Sequence, residues 1–128
     1  MKLSGRQATG AQGGQGGEAD PAIFDRQHLH QYTNGEPALE RELVTLFLGH
    51  FAPVRTQLET AASAHDWKFA AHSLKGSARS IGAPQIASLA EQLETMGFVA
   101  PEASKKRALD ALDVAMAAFA DEAKRTVE

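Results

Sequence analysis

The sequence predicts an all-α fold: an antiparallel up-and-down four-helix bundle with a short extra N-terminal helix. Three observations carry that expectation. Apolar residues recur at threes and fours through most of the chain beyond residue 35. No stretch alternates apolar and polar with a period of two, so no strand candidate stands out. Glycine and proline punctuate the helical pattern and leave only short connections, which set successive helices antiparallel.

A chain of 128 residues with 43% hydrophobic content suits one domain with one core. Its net charge of −3 offers no broad basic surface for nucleic acid or an anionic membrane. The absence of cysteine excludes disulfides, thiolate catalysis and cysteine metal sites. The longest apolar run, from Val114 to Ala120, is too short to span a bilayer, and the N-terminus lacks the apolar segment of a secretory signal. A cytoplasmic monomer is the expectation.

Residues 1–20 hold six of the eleven glycines and no apolar periodicity. Such a segment cannot bury enough surface to offset its chain entropy, so it reads as a flexible Gly-rich tail or linker, with residues 21–128 forming the bundle. Ile23, Phe24, Leu29 and Tyr32 suit one or two helical turns lying across a bundle end, closed by the turn Thr33-Asn34-Gly35.

The first long helix opens at Glu36-Pro37, with proline early in the helix. Leu39, Leu43, Leu46, Phe47, His50, Phe51, Val54 and Leu58 give it an apolar stripe, on which His50 reads as a partly buried core-edge residue. Pro53 removes the bond to the Gly49 carbonyl, so a kink or brief break is expected between them.

The central helix is expected over about residues 66–81, after a turn at 63–66, with Asp66 capping or charging its start. At about 100° per residue, Trp67, Ala70, Ala71, Leu74, Ala78 and Ile81 share one stripe. His72, Gly76 and Arg79 fall opposite, flanked by Lys68 and Lys75. Glycine within a helix costs roughly 1 kcal/mol relative to alanine, so Gly76, one turn from an exposed imidazole, suggests clearance for a partner.

Gly82 ends this helix, and Ala83-Pro84 restarts the chain into one with the stripe Ile86, Leu89, Ala90, Leu93 and Met96. Gly97 stops it. Pro101-Glu102 opens the last helix, with Leu109, Leu112, Met116, Phe119, Ala120, Ala123 and Val127 on one face. Lys105, Lys106, Asp113, Asp121 and Lys124 read as its solvated face.

His72-Ser73-Leu74-Lys75-Gly76-Ser77-Ala78, then Ile81-Gly82-Ala83 and Leu89-Ala90-Glu91-Gln92-Leu93-Glu94, resemble a histidine-containing phosphotransfer (HPt) domain. The resemblance covers residues 36–127 and includes Trp67. It implies that Nε2 of His72 takes a phosphoryl group from a receiver-domain aspartate or a hybrid sensor histidine kinase and passes it to a response regulator. It implies a neighbouring acceptor for Nδ1–H, here Glu94, and a role for Lys75 in attracting phosphoryl oxygens. Phe69, Lys68, Gly76 and Arg79 become candidate contacts for the receiver. Mg²⁺ is expected on the receiver only, with no cofactor or metal here, and no nucleotide-binding or kinase motif is present.

Two other classes compete. In a helical adaptor, His72 would be an ordinary exposed residue. A metal-binding bundle would need its five histidines at other spacings: His65 and His72 are seven apart, and no Glu-x-x-His pair faces inward on two helices.

Overall fold

In the computed structural model, residues 19–127 are described. All regular structure among them is helical, in five elements: α1 (Arg26–Thr33), α2 (Pro37–Glu59), α3 (Ala64–Ile81), α4 (Pro84–Met96) and α5 (Glu102–Val127). Most of the expected tail, residues 1–18, lies outside the described residues. Its last two do not trail away: Ala19 packs on the core and the Asp20 backbone N–H donates to Glu122 Oε2 at 2.6 Å.

Helix α3 is the centre of the molecule. It packs most extensively on α4 and next on α2; α5 covers α4 and touches α2, and α1 lies on α2 and α3. The whole expected stripe of α3 is buried, from Trp67 through Ala70, Ala71, Leu74 and Ala78 to Ile81. Its alanines let neighbouring backbones approach. Phe119 gathers the core around itself, with Phe24 and Phe47 meeting it edge-on at centroid distances of 5.1 and 5.3 Å.

The helix ends follow local chemistry, with one correction. Helix α3 begins two residues earlier than expected, and Ser63, not Asp66, is its cap: the Ser63 hydroxyl accepts from the Asp66 N–H at 3.1 Å. Asp66 supplies only first-turn charge. At the other end Gly82 has φ +87°, and the Asp25 N–H donates to its carbonyl at 2.7 Å. A Cβ on Gly82 would stand 2.5 Å from the Asp25 carbonyl oxygen. Both conformation and close approach therefore require glycine here.

Helix α2 departs most from expectation. It runs without a break through Pro53. Gly49 and Pro53 are both exposed, so water can replace the missing backbone bond. The buried register is also shifted: Glu40, Val44, Phe47 and Leu58 face inward, while Leu39, Leu46 and His50 are exposed. His50 is therefore not the core-edge residue that its place on the stripe suggests.

Lys105 is a third correction. Expected on the solvated face of α5, it is only 8% exposed. Its Nζ donates to the Phe98 carbonyl at 2.8 Å and sits over the rings of Trp67 and Phe98, at 5.1 and 4.6 Å from their centroids.

Candidate functional site

His72 projects from the middle of α3, directly opposite its buried stripe. Its neighbour Ala71 is fully buried, whereas the His72 side chain is 68% exposed. The helix behind it is anchored by apolar packing, so the imidazole is presented from a fixed support.

Helix α4 brings Glu94 to it. Leu93 is fully buried against the core, which leaves the next residue at the α3–α4 seam. The indole N–H of Trp67 donates to the Leu93 carbonyl at 2.8 Å and fixes how far α4 slides along α3. Lys105 in turn holds the Trp67 ring from the α5 side. Three helices thus set the position of one carboxylate.

Glu94 Oε2 lies 3.2 Å from His72 Nδ1, and Glu94 Oε1 lies 2.7 Å from Lys75 Nζ. An ionised carboxylate can only accept, so Nδ1 carries the proton. In the neutral ring Nε2 then keeps its lone pair. The carboxyl is held below the usual glutamate range, chiefly by the Lys75 hydrogen bond and next by that from His72, against an opposing effect of burial.

The other expected site residues divide around this centre. Lys75 is mostly covered and engaged with Glu94, so it is not a free cation waiting beside His72. Arg79 pairs with Glu91 at 3.4 Å. Phe69 is 64% exposed and stacks on His65 with centroids 6.4 Å apart. His65, Lys68, Phe69, His72 and Glu94 line one shallow depression. Gly76 is exposed, and a Cβ there would meet nothing within 4 Å. Among the described residues, no group of three or more His, Cys, Asp or Glu could hold a metal ion, and no helix is long and apolar enough to cross a membrane.

The Hpt domain model matches residues 42–126. The chain belongs to the Hpt domain family. Hpt domains are phosphocarrier modules of two-component phosphorelays, bearing phosphohistidine, and are not kinases. The match begins inside α2, so α1 and the first turn of α2 lie beyond it. No curated protein and no solved structure shows significant similarity to this Hpt domain chain.

Sequence reasoning missed two features outside this centre. Glu40 is fully buried and accepts from Arg26 Nε and Nη2 at 3.2 and 3.1 Å and from the Thr33 hydroxyl at 3.1 Å; His30 Nε2 stands 2.7 Å from it. Arg26 Nη1 also donates to the Thr126 carbonyl at 2.7 Å, which joins α1, α2 and α5. The available signal was Glu40 itself, which continues the 44, 47, 51, 54, 58 series backwards by one turn. The second feature is an apolar groove between α1, α2 and α3, made visible by the same shift of register.

Proposed function

We propose that His72 carries the phosphoryl group of this Hpt domain. It takes the group from a receiver-domain aspartate, or from a hybrid sensor histidine kinase through such a receiver, and passes it to a response regulator. The observation that supports this most directly is the Nδ1–Glu94 hydrogen bond beneath an exposed ring. It leaves Nε2 as the nucleophile.

In the forward step the Nε2 lone pair attacks phosphorus, and the N–P bond forms as the acyl P–O bond breaks. The aspartate carboxylate leaves with the bonding electrons. No proton need move: Nδ1 keeps its hydrogen, and the ring gains the positive charge that Glu94 faces. The reverse transfer uses the same contacts, so the site suits a carrier that both loads and unloads. Lys75 holds the carboxylate ionised and oriented. Mg²⁺ would belong to the receiver, whose own carboxylates would hold it.

Phe69, Lys68, Gly76 and Arg79 form the near surface that a docked receiver would meet. The chain would act as a cytoplasmic monomer. Its four long helices would form an antiparallel up-and-down bundle with α1 as the extra helix, a reading supported by the short connections and the pairwise packing order.

The test is label transfer from a panel of phosphorylated receiver domains. Wild type should acquire label that is acid-labile and base-stable, as a phosphoramidate is. His72→Gln should acquire none. Undiminished labelling of His72→Gln would refute the assignment.

A further inference from the structure

The carboxylate beside His72 sits where a helix is least held by its own bonds. Glu94 lies in the last turn of α4, just before the capping Gly97. The last carbonyls of a helix lack partners within it, and such ends fray. A cation near them offsets the negative end of the helix dipole, yet α4 has no basic residue in its last turn. The groups that hold this turn come from other helices.

Two donors do so. The Trp67 indole N–H reaches the Leu93 carbonyl at 2.8 Å, where the Gly97 N–H also arrives at 3.2 Å. Lys105 Nζ donates to the Phe98 carbonyl at 2.8 Å, just past the end of α4. The same Nζ stands over the Trp67 and Phe98 rings. Lys105 therefore grips both the chain leaving α4 and the indole that binds its last turn. It is almost fully buried, and burying an ammonium is costly. Its carboxylate partner Glu102, at 3.0 Å, is 91% exposed and offsets little of that cost.

We propose that Lys105 is a positioning residue for the phosphoacceptor: acting through Trp67 and Phe98, it holds the last turn of α4 and so keeps Glu94 on Nδ1 of His72. The inference rests on the phosphotransfer reading for its effect on transfer, and on geometry alone for its effect on the imidazole.

The bond at stake has little slack. Glu94 Oε2 is 3.2 Å from Nδ1, at the long end of the range of about 2.7–3.2 Å for N–H···O bonds. Glu94 Oε1 is 2.7 Å from Lys75 Nζ. A last turn that loosens gives up the longer bond first, and the carboxylate stays with Lys75. His72 then loses the acceptor that keeps its proton on Nδ1. A proton on Nε2 occupies the lone pair that attack requires. A residue of α5 thus governs the tautomer of a histidine on α3.

The experiment reads the ring before it reads transfer. Lys105→Met keeps an apolar chain against the two rings and removes the donor and the charge. Trp67→Phe leaves the lysine and removes the indole donor. Lys106→Met is the control, since Lys106 is exposed and pairs with Asp110. The His72 tautomer is measured by ¹⁵N NMR at neutral pH, well below each melting temperature. Rates are then measured with phosphoramidate, a donor too small to need docking, and with the phosphorylated receiver that transfers fastest to wild type in a panel. Wild type and Lys106→Met should show a proton on Nδ1 and a bare Nε2. Lys105→Met and Trp67→Phe should move to a mixture of tautomers. Both should lose about tenfold in phosphoramidate labelling and in kcat with the receiver, with KM little changed. Should Lys105→Met be unfolded at the working temperature, Trp67→Phe decides by the same signature. A folded Lys105→Met or Trp67→Phe with the wild-type tautomer and rates would overturn the proposal, whatever its melting temperature. So would a mixture of tautomers in wild type. If phosphoramidate and every receiver leave wild type unlabelled at His72, the phosphotransfer reading fails, while the nitrogen signature still decides whether Lys105 positions Glu94.

Discussion

His72 is a common side chain made specific by two neighbours. Glu94 sets its tautomer, and Lys75 keeps Glu94 ionised. The pH behaviour follows from the depressed carboxyl of Glu94. A carboxylate with a lowered folded pKa contributes stability above its unfolded pKa, and that contribution is lost as pH falls through the folded value. The tie is therefore whole at neutral pH and dissolves only in acid, below the ordinary glutamate range of about 4.3. Lys75→Met removes the largest cause of the depression, so the Glu94 carboxyl should titrate at higher pH in a ¹³C NMR titration. An unmoved titration would show that His72 alone holds the carboxylate. Gly76 gives the second residue-scale prediction. Nothing surrounds its missing side chain, so Gly76→Ala should stabilise the domain by about 0.5–1 kcal/mol in chemical denaturation. Gly76→Gln should also stay folded yet slow transfer from a receiver, because its bulk would enter the space that the proposed docking needs. Wild-type transfer by Gly76→Gln would end the clearance argument.

Among the elements, α3 and α2 make an instructive pair. The stripe of α3 contains one unbroken set of small and large apolar residues, and it is buried as read. Helix α2 contains two interleaved series, 39-43-46-50 and 40-44-47-51-54-58, both spaced at threes and fours. The first opens on three leucines and the second on a glutamate, yet the second provides most of the buried face. The end of α3 is set by a contact from outside the helix. Gly82→Ala would force a side chain into a left-handed conformation and against the Asp25 carbonyl. Its cost should exceed about 1 kcal/mol in urea unfolding. Loss of the wild-type protection of the Asp25 amide from hydrogen exchange would localise the damage to the N-terminal segment.

For the molecule as a whole, Glu40 is the joint. It binds Arg26 and Thr33, and Arg26 reaches the Thr126 carbonyl near the C-terminal end of α5. Removing the buried carboxylate breaks its bonds to both Arg26 and Thr33 at once, so Glu40→Ala should cost about 3 kcal/mol by denaturant unfolding. The double variant Arg26→Met with Glu40→Met should recover part of that loss, since it removes both charges. Additive losses in the pair would show that the two residues stabilise the fold independently.

Much of this architecture was legible in the chain alone, because it depends on local physics. Helical periodicity predicted five helical segments, proline and glycine marked most of their ends, and the opposite placement of Leu74 and His72 followed from the helix repeat. The motif around His72 and the position of Glu94 pointed to one family and one pair of residues. Tertiary packing decided the rest. Whether Glu40 or Leu39 faces inward depends on whether Arg26 and Thr33 arrive to satisfy a buried carboxylate, and those residues come from another helix. Lys105 reads as a surface charge until Trp67 and the Phe98 carbonyl supply its partners. Lys75 could have faced a future phosphoryl group, but α4 places a carboxylate 2.7 Å from it. A charged residue declares its surroundings only when its partners are known, and in this protein those partners lie on other helices.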